Sequence, residues 1–518
     1  MSGESKGFIA ALDVGTTTLR CHIIDSTGAA VGIANSDIKL LYPEKNQVEI
    51  DPEELWNSIV DVIKKATLGA NLTFGRIKSL GISTQRGTFL TWRKSNFKPL
   101  HNFVTWKDLR TTELVKDVNR SWRMVGLRTI SYIGYIFTRL AKLHLASQLR
   151  FSSLHVTVRL LWILRHNEEV QQALKDDDVS FGTMETWLLE KLTGGKSYFT
   201  DISNASVTGL FDPTALCWSF VPRLMGIPTT LLPPVADNDC KFGDTLREIF
   251  GVPIRIGSVM ADQSASMYGS CSFKENDLKL TLGTGAFMNV NTGEKIHASL
   301  NGMYPLIGWK VKNRLTYALE ISCSDAGSLV QWMLNAGLLS NSSESSSLAS
   351  KLSDNGGVYF VPAFSGLGPP ISNETAATGF IGVTPKTTKD HLVRAVLESI
   401  AFRVALAYNM LRKERAFAFR SIKVDGGVSK NDFICQMVSD LTDLKVERLS
   451  SEMSVLGAAY VAGLSCGMWS SESELTGMIK IQRTFLPTND PKYKKSVDVS
   501  LHQWQRAAER FLSWYEYI

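Results

Sequence analysis

Two stretches far apart in the chain repeat one pattern: an apolar strand, a Gly-Thr turn, a second strand and a polar closing turn. The first is "GFIAALDVGTTTLRCHIIDSTG" (residues 7–28) and the second is "DLKLTLGTGAFMNVNTGE" (residues 277–294). Short apolar runs flanked by glycine and small polar residues read as strands, and two of them about a tight turn read as a hairpin. Finding the unit twice predicts two related halves, each opening with a hairpin whose turn faces a common cleft. Length agrees, because 518 residues exceed what one compact core accommodates.

Between and after the hairpins, strands alternate with helices. "DPEELWNSIVDVIKKAT" carries acids in its first turn, Pro52 near its start and lysines near its end, all helix signals. "IKSLGIST" is a strand and "FLTW" begins another; "VPIRIGSVM" is a strand running into "ADQSASMYG". Residues 131–151, "SYIGYIFTRLAKLHLASQLRF", read as one helix inside a long basic and apolar region. Farther on come the helix "AGSLVQWMLNAGL", a Ser-rich loop "LLSNSSESSSLAS" and the strand "VYFVPAF". The helix "KDHLVRAVLESIAFRVALAYNML", the strand "SIKVDGG" and the helix "DFICQMVSDLTD" follow. This alternation predicts α/β domains with mostly parallel sheets. The break falls just after "ADQSASMYG", giving domains over 1–268 and 269–518.

Composition sets limits on partners. The net charge is +6, from 56 basic and 50 acidic residues. Spread over this length, that supports neither nucleic acid nor an anionic membrane as a partner, and no basic block stands out as an electrostatic footprint. The seven cysteines form no CxxC pair, so reduced, packed thiols are expected. No basic-then-apolar leader opens the chain, and no apolar run reaches about 18 residues. "VLGAAYVAGLSCGMW" is shorter and rich in small residues, which suits a buried helix. A cytoplasmic protein is expected.

The order of residues in "LDVGTTTLR" carries chemistry. Gly15 permits a close turn whose amides can converge on an anion, Thr16, Thr17 and Thr18 add hydroxyl donors, and Arg20 adds a cation. Asp13 cannot meet a phosphate directly, but it can through Mg²⁺, which takes one or two carboxylates with water and phosphate oxygens. An ordinary Asx turn closing a hairpin explains the same residues. "TLGTGAF" offers a second such turn with Thr284, and "VDGGVSKNDF" a third, with Gly426, Gly427 and a helix opening near Asn431. The chain has neither G-x-G-x-x-G nor G-x-x-x-x-G-K-[ST], the marks of a Rossmann site and a P-loop. Three such turns without those motifs favour an actin/hexokinase-like (ribonuclease H-like) pair of domains with ATP between them. Asp262 follows an apolar strand directly, a good position for a general base, although an acid there also caps helices.

Taken together, these segments resemble the FGGY carbohydrate kinases, and within them the glycerol kinase branch, in a divergent eukaryotic form. The resemblance runs from about residue 8 to 470. It includes "ALDVGTTTLR", "GISTQR", "FGTMETWLLEKLTGGK", "TDISNASVTGLFD", "ADQSASMYG", "LGTGAFMNVNTGE", "GVYFVPAFSGLG" and "LGAAYVAGL". It implies an ATP-dependent kinase of glycerol with Asp262 as the base, and Mg²⁺ held by Asp13 and, through water, by Asp262. Thr16, Thr17, Thr18 and Arg20 would then meet the phosphates from one domain and Thr284 from the other. Gly327, Gln331, Gly427 and Asn431 would line the adenosine pocket. The polyol would lie against Arg86, Trp106, Gln263 and Phe287, close to Thr16. The arginine can fork onto oxygen atoms while the two aromatic faces pack on carbon. A homo-oligomer is compatible with the family.

Three departures fall on the polyol side. Where glycerol kinases read "QRE" this chain reads "QRG", with Gly87 in place of the glutamate. Losing charged hydrogen bonds of this kind costs about 1.5–3 kcal/mol. The family's substrate-facing tyrosine has no counterpart except Tyr132 or Tyr135, within a rebuilt 120–160 segment. The "AP-WD-ARG" segment reads "PPISNETAATG". The expectation is therefore an intact phosphate and base machinery beside an altered polyol pocket, open to a different small polyol or ketose, with a weakly active nucleotide-binding regulatory protein as the other alternative.

Overall fold

A computed structural model describes residues 7–299, 303–323, 325–364, 366–414 and 417–515. The first hairpin is present as β1 (Phe8–Val14) and β2 (Thr18–Ile24), continued antiparallel by β3 (Ala30–Asp37). On the other side of β1 lie two parallel strands, β4 (Ile77–Thr84) and β5 (Ile256–Ala261), giving the order β5-β4-β1-β2-β3. Strands β1, β4 and β5 are buried almost throughout, as their unbroken apolar runs require of a sheet covered on both faces.

The second sheet repeats the plan. Its opening hairpin is β6 (Leu278–Leu282) and β7 (Ala286–Gly293), continued antiparallel by β9 (Arg314–Cys323) and β8 (Tyr304–Val311). Across β6 stand β10 (Ser421–Asp425) and β11 (Lys445–Arg448), both parallel to it, and then β12 (Arg483–Phe485). In each half a meander opens on a Gly-Thr turn and its first strand then takes two parallel neighbours on its free edge. The repeat seen in sequence is thus a repeat of topology.

Helices bind these sheets together. The α1 helix (Pro52–Gly69) begins on Asp51, whose carboxylate accepts from the Glu53 and Glu54 amides. Its buried face, Leu55, Ile59, Val62 and Ile63, joins the core of the first sheet. Helices α5 (Asp262–Gly269) and α9 (Met453–Ser465) cross each other, and α9 packs on β1, β4 and β5 although it comes from the C-terminal half. A Cβ on Gly457 would lie 1.7 Å from the Ala265 carbonyl oxygen, and one on Gly269 would lie 2.1 Å from that of Met453. Only glycine lets these helices approach so closely. The small residues of "VLGAAYVAGL" serve that crossing.

Elsewhere the structure departs from the sequence expectations. Residues 131–151 are not one helix: α2 (Trp122–Thr138) ends where Arg139 turns left-handed (φ 56°), and α3 (Ala141–Gln148) follows. No glycine marks that break. The Ser-rich stretch is not all loop, because Ser342–Glu344 forms a 3₁₀ turn and Ser345–Ser350 an α-helix. Asn341 and Glu344 form a reciprocal capping box there, a signature legible in the sequence. Cys217 is exposed, contrary to uniformly packed thiols, while Cys21, Cys271 and Cys435 are buried. No helix among the described residues is long and apolar enough to cross a membrane.

Candidate active site

Three neighbouring parallel strands deliver the functional groups at their carboxyl ends, where open α/β sheets place ligands. Strand β1 carries Asp13 one residue before its end, β4 runs into Gln85 and Arg86, and β5 runs into Asp262. Asp13 is buried (3% exposed). Its Oδ1 accepts from Ser83 Oγ at 2.8 Å, and its Oδ2 accepts from Ser454 Oγ at 2.9 Å and from Arg20 Nη1 at 3.4 Å. Arg20 is also its cross-strand partner in the hairpin. Burial raises the Asp13 pKa, while Arg20 and the two serines oppose that rise.

Asp262 opens α5. Its Oδ1 accepts from the Gln263 amide at 2.7 Å and lies 3.6 Å from Arg86 Nε. Burial pushes its pKa up to about 6; the Arg86 guanidinium pulls it down, and the Asp13 and Glu320 carboxylates push it up. A carboxyl tuned this way is ionised at neutral pH yet more basic than an ordinary aspartate, as a general base should be. The strand end that presents it is held from below. Ser203 Oγ accepts from the Ala261 amide at 2.9 Å and donates to buried Asp201. Asn238 Nδ2 donates to Asp201 at 3.0 Å and to the Val259 carbonyl at 2.9 Å.

Arg86 joins the two halves. Its guanidinium forks onto Glu320 of β9, Nη2 to Oε1 at 2.9 Å and Nη1 to Oε2 at 2.8 Å, and lies 5.4 Å above the Phe287 ring of β7. Glu320 was not legible as a site residue in sequence, because only the fold brings it opposite Arg86. Trp106 Nε1 donates to Thr16 Oγ1 at 2.9 Å, and the Trp106 amide donates to Thr88 Oγ1 at 3.3 Å. Gln85 Nε2 donates to the Gly15 carbonyl at 2.9 Å, bracing the first Gly-Thr turn. The Gln263 Oε1 is buried and has no protein partner among the described residues.

The nucleotide-side candidates form a second group. Thr17 is exposed at the tip of the first turn, and Thr18 opens β2. In the second turn, the Thr284 carbonyl accepts from the Ala326 and Ser328 amides, and Gly283 O accepts from Gly327 N at 2.9 Å. The turn is thereby locked to the start of helix α6 (Gly327–Asn335). Gly427 begins a 3₁₀ turn after β10, and Gly426 lies against the Leu282 carbonyl. Two candidates have local work in this structure. Asn431 caps helix α8 (Asp432–Thr442), accepting from Ile434 N at 3.0 Å and donating to Ser345 Oγ at 3.0 Å, while Gln331 is exposed and bonds Asn335.

Tyr132 and Tyr135 do not join the cleft. Both lie on α2, where Tyr132 is exposed and Tyr135 packs 4.6 Å from the His144 ring. Gly87 adopts φ 68°, a region where L side chains are strained. A Cβ there would lie 3.4 Å from Nη2 of Arg159, which is fully buried. Arg159 donates to the carbonyls of Thr105 (2.5 Å) and Leu154 (2.8 Å), and burial pushes its pKa down to about 9. The expected glutamate is therefore replaced by a turn glycine beside an internal cation.

A second missed network ties α5 to the second sheet. Lys279 of β6 is fully buried, with Nζ 2.6 Å from Asp425 Oδ1 and a further bond to Thr281 Oγ1. Ser266, one turn into α5, donates to Asp425 Oδ2. Burial lowers the Lys279 pKa, and the Asp425 charge opposes that.

Two carboxylates, Asp13 and Asp262, affect each other's charge at the strand ends, and they are hard oxygen donors of the sort Mg²⁺ shares with phosphates and water. No cluster of three or more His, Cys, Asp or Glu able to hold a metal occurs among the described residues. The donor set fits a cation that arrives with a nucleotide.

Comparison with known proteins agrees with this architecture. Residues 8–269 match the N-terminal domain of the FGGY family of carbohydrate kinases, and residues 278–466 match its C-terminal domain. The chain is 44% identical to glycerol kinase 5 of Bos taurus over 512 residues, covering 98% of this chain and 96% of that one. Glycerol kinase 5 of Homo sapiens is 43% identical over 511 residues, covering 98% and 96%. Among solved structures, glycerol kinase of Plasmodium falciparum with ADP superposes with a TM-score of 0.84 at 29% identity, covering 98% of both chains. With both domains matched in order and relatives aligned over nearly the whole length, the chain belongs to the FGGY family of carbohydrate kinases.

Proposed function

We propose that this chain transfers the terminal phosphoryl group of ATP to a primary hydroxyl of glycerol, giving sn-glycerol 3-phosphate. The observation that carries the reading is Asp262, a carboxyl raised to about 6 and set beside Arg86 at the mouth of the first sheet. The names of the relatives and the ADP in the Plasmodium falciparum structure support glycerol and ATP as substrates. Asp262 Oδ1 is engaged by the Gln263 amide, so Oδ2 takes the hydroxyl proton as the oxygen attacks phosphorus. Arg86 and the ring of Phe287 orient the polyol, and Trp106 fixes the Thr16 hydroxyl at the edge of the phosphate turn. Asp13, and Asp262 through water, would hold Mg²⁺. When bound, that ion neutralises phosphate charge.

The deciding measurement is ADP release with glycerol as acceptor, coupled to a spectrophotometric readout. Saturable turnover well above the acceptor-free rate is expected; a glycerol rate equal to that with water sinks the reading. One observation favours a different polyol: Gly87 puts no side chain where the family's glutamate would stand. A ketose or another small polyol outperforming glycerol in the same assay would select that alternative. Asp13→Ala should raise the Mg²⁺ concentration needed for half-maximal rate by about tenfold, through loss of one charged ligand. An unchanged Mg²⁺ titration would remove Asp13 from the metal role.

A further inference from the structure

The segment between the polyol pocket and the outer surface has a property that net charge conceals. Residues 118–167 contain no aspartate or glutamate, yet they hold Arg120, Arg123, Arg128, Arg139, Lys142, Arg150, Arg159 and Arg165. Helix α2 runs through this stretch. Its inward face buries Met124 and Ser131, and α3 packs beside it. On an ordinary surface helix the opposite face is polar. Here it carries Trp122 (80% exposed), Ile130 (72%) and Phe137 (83%), with Ile133 and Ile136 about half exposed between them.

At 3.6 residues per turn, Trp122, Ile133 and Phe137 fall on one stripe, diametrically across from Met124 and Ser131. An apolar face of this kind in water marks an interaction site.

Cations stand at both ends of the stripe. Arg120 and Arg123 lie at its start and Arg139 at its finish; all three are exposed, and none pairs with a described carboxylate. Exposed Arg150 follows on the same terms. Lys142 is set aside, because it pairs with Asp212 at 3.0 Å. The Arg123 guanidinium lies over the exposed Trp122 ring at 5.6 Å, which sets that charge at the rim of the apolar face; Arg139 lies over Tyr135 at 5.4 Å and marks the C-terminal end of the helix. Aromatic and aliphatic residues on one face, flanked by arginines and free of acids, match what lies in the interfacial plane of an anionic bilayer. The helix has 17 residues, and it is embedded in a folded domain. It can lie on a membrane without crossing it.

We infer that α2 is a membrane-docking surface, which inserts its outer apolar face at the headgroup level of an anionic bilayer while the flanking arginines meet lipid phosphates and carboxylates. A protein partner for the same face would need a matching acidic rim around an apolar groove. The bilayer meets both demands with no further requirement.

The test uses the full chain and sedimentation with vesicles, either of phosphatidylcholine alone or with about one-third phosphatidylserine. Wild type is expected to pellet with the anionic vesicles, to stay in solution with the neutral ones, and to release as salt rises. The combined variant Trp122→Ser, Ile133→Ser, Phe137→Ser should lower the partition coefficient by about tenfold or more with an unchanged melting temperature. Should that variant fail to fold, the pair Arg120→Glu, Arg139→Glu keeps the apolar face and must lose binding through charge alone. The inference is overturned if wild type ignores anionic vesicles, if it binds neutral ones equally, or if folded variants bind as wild type does. A lipid-free dimer that the serine variant dissolves would assign the face to a second copy instead, and overturn it too.

Discussion

Asp262→Asn is expected to lower kcat by about 10² to 10⁴, the usual contribution of a positioned general base, while nucleotide affinity stays within a few-fold of wild type. Asparagine keeps the shape and can still accept from the Gln263 amide, as Oδ1 does now, but it cannot take the hydroxyl proton. The same carboxyl sets the acid limb of the rate profile. With a pKa raised from 3.8 to about 6, wild-type kcat/KM should fall as pH drops below about 6, and the residual activity of the variant should lose that limb. Stability moves the other way. A carboxyl whose folded pKa is raised keeps its proton in the native state while the unfolded chain has released it. Wild type therefore loses stability as pH rises from about 4 to about 6, and the loss persists at neutrality. Asparagine removes it, so the variant should melt a few degrees higher at pH 7. Lower stability together with unchanged turnover would exclude Asp262 as the base.

The sequence carried what is local. Glycine turns, apolar strands and their alternation with helices were enough to place both hairpins, the carboxyl-end positions of Asp13 and Asp262, and the two-domain α/β plan. Pairings between distant segments stayed hidden. Ser454 reaches Asp13 from 441 residues away, and Glu320 reaches Arg86 from 234. No local signal distinguishes these residues from any other serine or glutamate. Lys279 is the one charged residue within the strand Leu278–Leu282, and the sheet buries it completely. The break in the basic apolar region was equally hidden, since Arg139 adopts a left-handed conformation that glycine usually marks. With α2 stopping there, Tyr132 is exposed and Tyr135 packs on His144, and a net charge diluted to +6 over the chain conceals a basic segment, 118–167, without an acid.

Lys279→Met should be the most damaging single change to stability. It removes a fully buried ammonium from its 2.6 Å contact with Asp425 and leaves that carboxylate, 2% exposed, with Ser266 as its other side-chain donor. Breaking one side of such a pair costs about 3–5 kcal/mol, so the melting temperature should drop by about 10 °C, read by calorimetry. Adding Asp425→Leu removes the stranded charge, and since buried ion pairs are often replaceable by apolar residues of similar volume, most of the stability should return. Turnover should not return with it. Ser266 lies one helical turn beyond Asp262 on α5, and its bond to Asp425 is a buried polar link, beside the Tyr268–Trp309 ring contact, through which the second sheet holds the helix that presents the proposed base. In the double variant that link is gone, so kcat should remain several-fold below wild type while KM for the acceptor changes little. If kcat recovers along with the melting temperature, the pair is only a structural rivet. If stability recovers alone, Lys279 and Asp425 position α5 between the two sheets.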